Sequence, residues 1–331
     1  MILENAFISI HEKAVKGTLI YENGTVYIKE KDIDPEITIT SPFINAHTHL
    51  GDGFIESVPR LDVKSLVGPG GFKAKMLQIT DREKIRDSIK YSIKIMNGEY
   101  ISSFFDFRES GMEGLKLLEN LDFGNITPFI LSRPAGKELD KTELNELLKL
   151  SSGFGMSGIN DYPLHFLEEV SLYAKNNNKL FAIHASEAER ENIDEILRLN
   201  PDFVIHMYNG SIEDFEKLIA RDIPIIICPS SAIFFNHKFD TGKFKLDGIK
   251  IGIGTDNAMI TVPSIRSEMR IAWLYFSMEA EKIIEYSTIT MQRFTGKPSN
   301  ILIFNKKPQK VVRDPFYRPD RFLKINEINF E

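Results

Sequence analysis

Residues 42–49 read Pro-Phe-Ile-Asn-Ala-His-Thr-His, and this stretch decides how the rest of the chain is interpreted. The apolar run from Phe43 to His47 is typical of a buried parallel strand, and a His-x-His pair stands at its end. Because side chains alternate along a strand, His47 and His49 lie on the same side and could share one ion. The stretch therefore predicts a strand with a metal-binding end.

Similar apolar runs recur along the chain, separated by segments with apolar residues at helical spacing. The predicted strands are Phe43 to His47, Ile101 to Phe107, Ile126 to Leu131, Gly153 to Met156, Leu180 to His184, Phe203 to His206, Ile223 to Cys228 and Lys250 to Thr255. The segments between them include the predicted helices Thr80 to Met96, Lys141 to Leu150, Leu164 to Ala174, Glu189 to Leu199 and Ile212 to Ile219. Alternation of this kind predicts an α/β fold, a (β/α)8 TIM barrel over residues 41–297.

The two ends of the chain do not show this alternation of strands and helices. Residues 1–40 contain short β-rich pieces separated by turn signals such as Glu22-Asn23-Gly24, which predicts a small antiparallel sheet. Strand character returns at Asn300 to Asn305 and again at Phe322 to Phe330, after a last helical region from Ser264 to Phe294. These late pieces could join the N-terminal sheet.

Composition and charge exclude several classes of function. Cys228 is the only cysteine, so we expect no disulfide and a metal site built from nitrogen and oxygen ligands. The formal net charge is −6 and no long basic stretch occurs, which argues against nucleic acid or an anionic membrane as a partner. Without a signal peptide or a long apolar run, we expect a cytoplasmic protein that acts on a small molecule and could form a homo-oligomer.

Residues able to bind a metal follow four of the predicted strands. His47 and His49 follow the first, His184 the fifth, His206 the sixth and Asp256 the eighth. In a (β/α)8 barrel the carboxyl ends of all strands meet at one mouth, so these residues would converge there. A lone histidine such as His206 could equally be a structural core residue.

The chain resembles the amidohydrolase superfamily over nearly its whole length. The resemblance is carried by Pro42 to His49 and by these further segments: Ile183-His184-Ala185-Ser186-Glu187, Val204-Ile205-His206, Cys228-Pro229-Ser230-Ser231 and Gly254-Thr255-Asp256-Asn257. It implies a barrel whose flanking small β-sandwich is built from both termini, here residues 1–40 plus 298–331. It also implies a metal-dependent hydrolase that acts on carbon–nitrogen bonds.

Within that superfamily the chain looks like the mononuclear deaminase and chlorohydrolase branch. The strand Gly153 to Met156 offers neither the lysine nor the glutamate that bridges two metals in dinuclear members, which indicates one divalent ion, Zn²⁺ in preference to Fe²⁺. The implied ligands are His47, His49, His184 and Asp256, leaving a position for water. Glu187 completes the H-x-x-E pattern of similar deaminases.

The resemblance assigns three catalytic roles. Glu187 would move the proton, His206 would polarise the substrate or hold the water, and Asp256 would be both ligand and hydrogen-bond acceptor. Against this, Glu187 could be a solvated residue of an acidic loop that also contains Glu189 and Glu191.

Other residues near strand ends keep two interpretations each. Arg108 and Arg133 could bind a substrate carboxylate or phosphate, or could form salt bridges. The glycine- and lysine-rich loop from Leu66 to Lys75, which includes Lys73, could close over the substrate. His237 is a candidate for substrate contact. Phe234 and Phe235 could flank a planar ring or serve only in packing.

Deamination of a small nitrogen heterocycle is the favoured hypothesis, with hydrolysis of a cyclic amide and dechlorination of a triazine-like ring as competing reactions. A TatD-type nuclease is a further alternative, because Gly158-Ile159-Asn160-Asp161-Tyr162 and the histidines 184 and 206 also resemble that family. A binding protein that kept the barrel without activity is another, although none of the expected ligands is missing.

Overall fold

The structure is a computed structural model, and it describes residues 1–330. The strands of this range are β1 (Ile2–Ile10), β2 (Lys13–Glu22), β3 (Thr25–Glu30), β4 (Ile37–Thr40), β5 (Phe43–His49), β6 (Ile101–Arg108), β7 (Thr127–Ser132), β8 (Gly153–Met156), β9 (Leu180–Ala185), β10 (Phe203–His206), β11 (Ile225–Ile227), β12 (Ile251–Ile253), β13 (Asp256–Asn257), β14 (Asn300–Phe304), β15 (Arg321–Lys324) and β16 (Glu327–Phe330). Its α-helices are α1 (Val63–Leu66), α2 (Phe72–Ile79), α3 (Arg82–Gly98), α4 (Gly111–Lys116), α5 (Lys141–Leu150), α6 (Leu164–Asn176), α7 (Ile193–Arg198), α8 (Ile212–Ala220), α9 (Pro229–Phe234), α10 (Ile265–Phe276), α11 (Ala280–Thr288), α12 (Gln292–Thr295) and α13 (Pro308–Arg313).

A parallel sheet contains nine of these strands in the order β12-β11-β10-β9-β8-β7-β6-β5-β13. Its two edge strands, β12 and β13, are separated in the chain only by Gly254 and Thr255. The Gly254 amide donates to the carbonyl of Ile227 on β11 at 2.9 Å, and the Thr255 amide donates to the carbonyl of His47 on β5 at 2.9 Å. One segment thus borders both edges, so the sheet is strongly curled.

The concave side of this sheet is filled with apolar side chains. Phe105 on β6 and Phe203 on β10 are four places apart in the sheet, yet their ring centroids lie 5.4 Å apart. Contacts across the sheet are possible only inside the curl. Helices cover the outside, as α3 illustrates: its buried residues Ile85, Ile89 and Ile93 recur at the spacing of one helix face.

The terminal segments form a second sheet. Its seven strands lie in the order β15-β14-β4-β1-β2-β3-β16, so strands from both ends of the chain pair with each other. The sequence predicted a small β-sandwich from these segments, and the structure has a second curled sheet around a small apolar core that includes Ile8, Leu19 and Ile303. The predicted segment 298–331 ends at residue 331, which lies outside the described residues.

The curled parallel sheet with outer helices confirms the mixed α/β part of the fold prediction. Some boundaries differ. The helix predicted from Glu189 begins only at Ile193, because the side chains of Ser186 and Glu191 each accept a hydrogen bond from the other residue's amide and hold a loop. Asn192 then caps the helix. The strand predicted from Phe322 to Phe330 is divided into β15 and β16.

None of the helices within residues 1–330 is long and apolar enough to cross a membrane.

We expect Gly254→Ala to lower the free energy of unfolding by about 1–3 kcal/mol, because overpacking at a tight contact is destabilising. A Cβ at this position would lie 2.7 Å from the backbone nitrogen of His47, which cannot move without shifting β5. Urea unfolding monitored by circular dichroism measures the effect. Gly136→Ala is the control, since a Cβ there meets no atom nearer than 3.8 Å. Equal midpoints for the two variants would contradict the prediction.

Candidate metal centre

A bulge in β5 sets the direction of the first two histidines. Asn45 pairs with Phe104 and Thr48 with Asp106, so over this stretch β5 holds one residue more than β6. Bulges of this kind bend a strand and redirect its side chains. The His47 and His49 rings consequently lie side by side, with centroids 4.8 Å apart. Both are almost fully buried.

Three strand ends meet at one carboxylate. Oδ1 of Asp256 lies 3.3 Å from Nε2 of His47 and 3.6 Å from Nε2 of His49. Nε2 of His49 is in turn 3.4 Å from Nε2 of His184. The residues come from β5, β9 and β13, so the four implied ligands are brought together by the curl of the sheet.

His184 has a defined tautomer. Its Nδ1 lies 2.8 Å from the carbonyl oxygen of Met156 on the neighbouring β8, and a carbonyl can only accept, so Nδ1 carries the hydrogen. Burial, followed by the positive potential of His47 and His206, holds the pKa of His184 well below its usual range. The neutral ring therefore directs the lone pair of Nε2 toward His49.

His49 is oriented in the same way by a carboxylate. Its Nδ1 lies 2.8 Å from Oε1 of Glu109, although the direction of the N–H bond is poorly aligned for a hydrogen bond. Burial is the main cause that lowers the pKa of His49 to about 4, with the charge of Lys73 adding to it. With the hydrogen on the Glu109 side, Nε2 has a free lone pair facing Asp256 and His184.

Asp256 stays ionised despite its burial. Burial alone would raise its pKa, but the neighbouring His47 and His206 outweigh that effect and hold the pKa of the carboxyl well below its usual range. Its backbone has φ of 61°, in the left-handed region that costs energy for a residue other than glycine. His206 has φ of 78°. Strain at two strand ends of one site is typical of functional positions.

The chemistry of the donor atoms suits a cation. Two neutral imidazole nitrogens with lone pairs face each other at 3.4 Å beside a carboxylate, an arrangement that repels itself unless a positive ion lies between the atoms. Oδ2 of Asp256 and both ring nitrogens of His47 are buried without a hydrogen-bond partner in the described chain. The groups His47–His49–Asp256 and His47–His184–His206 each have their ligand atoms within 4.8 Å of one another. These residues fit a metal ion.

Cys228 also lies within 4.8 Å of ligand atoms of His206 and Asp256. Burial, with the nearby Asp256 charge, raises the pKa of its thiol well above the usual range. Cys228 is therefore a neutral thiol next to the candidate ligands in the metal-free chain.

Glu187 lies at the floor of the pocket beside two histidines. Its Oε2 is 3.5 Å from Nε2 of His206, and its Oε1 is 3.8 Å from Nε2 of His237. Burial lowers the pKa of His206, although Glu187 and Asp256 oppose that shift. The carboxylate is therefore next to a neutral imidazole and is not a freely solvated residue, since its side chain is only 13% exposed.

A pocket of about 390 Å³ opens above these residues. Its wall includes His49, His184, His206, Glu187 and Asp256 as well as the cationic side chains of Lys64, Arg133 and Lys137. Nε of Arg133 donates to the carbonyl of Gly155 at 3.2 Å, which holds the guanidinium at the wall. The size suits a small molecule.

Arg108 is not a substrate-binding residue in this structure. It is 2% exposed, forms a buried ion pair with Asp106 and does not line the pocket. The same Asp106 accepts hydrogen bonds from the Thr48 hydroxyl and the Leu50 amide, so the pair supports the end of β5. The substrate interpretation of Arg108 is wrong, because β6 turns this side chain back into the protein.

Phe234 and Phe235 are also absent from the pocket wall. Phe234 packs against the Arg60 guanidinium, and Phe235 against His237. Their packing role is the one the geometry supports.

Sequence reasoning missed the groups that orient the ligands. Glu109 directly follows β6, and the carbonyl of Met156 ends β8, so both stand at strand ends like the ligands themselves. Asn257 was quoted in a motif without a role, and its Nδ2 donates to Oδ1 of Asp256 at 2.8 Å. The position of Glu109 after a strand was the only available signal; nothing in the sequence identifies a backbone carbonyl as a partner of His184.

No protein-family model matches the chain. A protein from Archaeoglobus fulgidus, named as a candidate aminohydrolase, is 35% identical over 300 residues, which cover 89% of this chain and 86% of that protein. This chain belongs to the same aminohydrolase family. The name of that family agrees with the carbon–nitrogen hydrolase that the sequence predicted.

Two solved structures share the fold at low identity. An adenosine deaminase from Xanthomonas campestris with bound zinc has a TM-score of 0.70 at 13% identity, over 96% of this chain and 89% of that one. The aminofutalosine deaminase of Helicobacter pylori, solved in complex with methylthio-coformycin, has a TM-score of 0.69 at 13% identity. The match covers 97% of this chain and 98% of that one. The agreement covers almost the whole chain.

Family membership makes the chain a hydrolytic enzyme of the aminohydrolase type. It favours the deaminase-like hypothesis over the TatD-type nuclease and over a protein without activity.

We expect purified wild-type protein to contain metal, and His47→Ala and Asp256→Asn to lose most of it, because the first change removes a ligand nitrogen and the second removes the negative charge of a ligand. Elemental analysis after dialysis measures the content. His165→Ala is the control, since His165 is exposed on α6. If the two site variants retain as much metal as the control, the assignment of these ligands is wrong.

Removing Arg108 tests its structural role. We expect Arg108→Met to lower the free energy of unfolding by about 3–5 kcal/mol, because Asp106 is left as an unpaired buried charge. Urea denaturation measures this. Arg133→Met is the matched comparison and should change stability little, since its guanidinium lies at the pocket wall. A stable Arg108→Met protein would refute the structural role.

Proposed function

We propose that the chain binds one divalent metal ion through His47, His49, His184 and Asp256 and hydrolyses a carbon–nitrogen bond of a small nitrogen heterocycle, releasing ammonia. One observation carries this proposal: Nε2 of His49 lies 3.6 Å from the ionised carboxylate of Asp256 and 3.4 Å from Nε2 of His184, and all three residues line a pocket. Glu187 lies beside them, where a proton can be exchanged with the substrate.

The proposal includes the architecture that creates the site. We infer that the curled sheet closes as a (β/α)8 barrel over residues 41–297, with β12 and β13 as the two halves of the eighth strand. The hydrogen bonds from Gly254 to β11 and from Thr255 to β5 support this. Residues 1–40 and 298–331 would form the accessory domain. The candidate ligands then all stand at the carboxyl ends of barrel strands, where active sites of this fold lie.

Zinc is the metal we propose, with Fe²⁺ as the alternative. Imidazole nitrogens and one carboxylate form a donor set that Zn²⁺ commonly takes in catalytic sites with an open position. The adenosine deaminase of the same fold holds zinc. One ion is proposed because β8 (Gly153–Met156) supplies no carboxylate or lysine to bridge a second.

The bound ion would supply acidity to a water molecule, whose pKa a Zn²⁺ ion lowers from 15.7 to about 7. The chain's own residues do the remaining work. Glu187 would accept one water proton as the oxygen adds to the sp² carbon and pass it to the ring nitrogen of that carbon–nitrogen double bond. The second proton of the water would move to the amino nitrogen as its bond to carbon breaks. The nitrogen leaves as ammonia, and a carbonyl replaces it. His206, 3.5 Å from Glu187, holds the oxygen in line.

The pocket limits the substrate class. Its volume of about 390 Å³ accommodates a small heterocycle with a substituent, and Arg133 and Lys137 would face that substituent. The wall also contains the acidic side chains of Asp161 and Glu189, and this mixed charge argues against a uniformly anionic polymer as substrate.

Ammonia release distinguishes deamination from the competing reactions. Purified zinc-loaded protein would be incubated with nucleobases, nucleosides, pterins, cyclic amides and chlorinated triazines, and ammonia measured by a coupled dehydrogenase assay. We expect ammonia from at least one amino-substituted heterocycle. Cleavage of cyclic amides without ammonia release from any amino compound would overturn the deaminase assignment and favour cyclic amide hydrolysis.

Glu187→Gln tests the proton transfer. We expect kcat to fall by about 10²–10⁴-fold, because an amide can neither accept nor return the proton, while zinc content stays at the wild-type level. Steady-state kinetics with the best substrate and elemental analysis measure both. Glu189→Gln, an exposed neighbour at the pocket rim, is the control. A Glu187→Gln enzyme with more than a tenth of wild-type kcat would disprove the role.

A further inference from the structure

Lys73 is buried although it lies in the segment that forms a wall of the pocket. It is the second residue of α2 and is 5% exposed. Its Nζ donates to Oε1 of Glu109 at 2.7 Å and lies 3.2 Å from Oδ1 of Asn257, to which it also donates. A buried lysine is rare unless its charge is paired, and here both partners belong to the ends of parallel strands.

Each partner of Lys73 touches a proposed metal ligand. Oε1 of Glu109, the same oxygen that Lys73 contacts, is 2.8 Å from Nδ1 of His49. Nδ2 of Asn257 donates to Oδ1 of Asp256 at 2.8 Å. One ammonium group is therefore a single residue away from two of the four ligands, on the adjacent strands β5 and β13.

The segment that carries Lys73 also shapes the pocket. Val63, Lys64, Val67, Gly68 and Pro69 line it, and they precede α2 without an intervening strand. The position of this wall is consequently joined to the ligands through the two hydrogen bonds of Lys73. Glu109 supports this connection, because one of its oxygens, Oε1, contacts both the ammonium group of Lys73 and Nδ1 of His49.

We propose that Lys73 is a positioning residue that couples the pocket wall of residues 63–73 to the metal ligands His49 and Asp256. The inference rests on the metal site of the proposed function. It predicts that Lys73 sets the affinity for the metal without touching it, through Glu109 on one side and Asn257 on the other. Groups that orient ligands in this way typically change metal affinity 10–100-fold when they are removed.

Zinc affinity measured by competition with a fluorescent chelator tests the proposal. We expect Lys73→Met to raise the zinc Kd by about 10–100-fold and Glu109→Gln to raise it over the same range. Both variants break the same contact between Lys73 and Glu109. The zinc Kd of the double variant should therefore rise by no more than about the larger of the two single effects. Lys73→Arg, which keeps the charge and the donors, should recover part of the affinity. Lys75→Met, an exposed lysine on the same helix, is the control.

The possible outcomes are distinct. A wild-type protein that does not bind zinc refutes the proposed function and this inference with it. If the wild-type protein binds zinc and the zinc Kd of Lys73→Met stays within twofold of the wild-type value, only the inference is refuted. This holds even if the urea midpoint of Lys73→Met falls, because a loss of stability alone indicates a structural ion pair. If Lys73→Met does not fold, the Kd of Glu109→Gln decides, because this change keeps the size of the side chain. A Glu109→Gln variant that binds zinc with wild-type affinity would also refute the proposed coupling.

Discussion

The burial of the Asp256 carboxylate among imidazole rings is the constraint on which the rest of the site depends. A carboxylate out of water needs compensating charge, and burial holds down the pKa values of His49, His184 and His206 nearby. The chain accepts backbone strain at Asp256 and His206 and a bulge in β5 to bring these groups together. An arrangement this costly in the protein alone is stabilised when a cation joins it.

The outer partners of the histidines decide what the inner atoms can do. The Met156 carbonyl accepts from Nδ1 of His184, and the Glu109 carboxylate lies 2.8 Å from Nδ1 of His49. Both partners favour a hydrogen on the far side of the ring, which leaves the near nitrogen free to bind a metal. Neither partner would be recognised as functional on its own. Their contribution is orientation: with the opposite tautomers, the same rings would present hydrogens to one another and could not share an ion.

The site also explains how one architecture serves different substrates. The residues at the floor come from strand ends, whereas the walls come from the connections after β5, β7, β8 and β9, among them Pro69, Arg133, Asn160 and Glu189. Deaminases with 13% identity to this chain share its fold over almost the full length. Changes in the connections can therefore alter the substrate while the floor keeps its chemistry.

The sequence by itself determined the alternation of strands and helices, the strand-end positions of the histidines and Asp256, and the resemblance to hydrolases of carbon–nitrogen bonds. Apolar periodicity and residue type are local properties, so they can be recognised before the chain is folded. Only the tertiary structure decided that Arg108 is paired inside the protein, that Lys73 lies one residue from two proposed ligands, and that the terminal strands form one sheet. The contacts of Lys73 and the pairing of the terminal strands join residues distant in the chain, which a local pattern does not reveal. Arg108 and Asp106 are only two residues apart, but their pairing depends on the burial of both side chains in the folded protein.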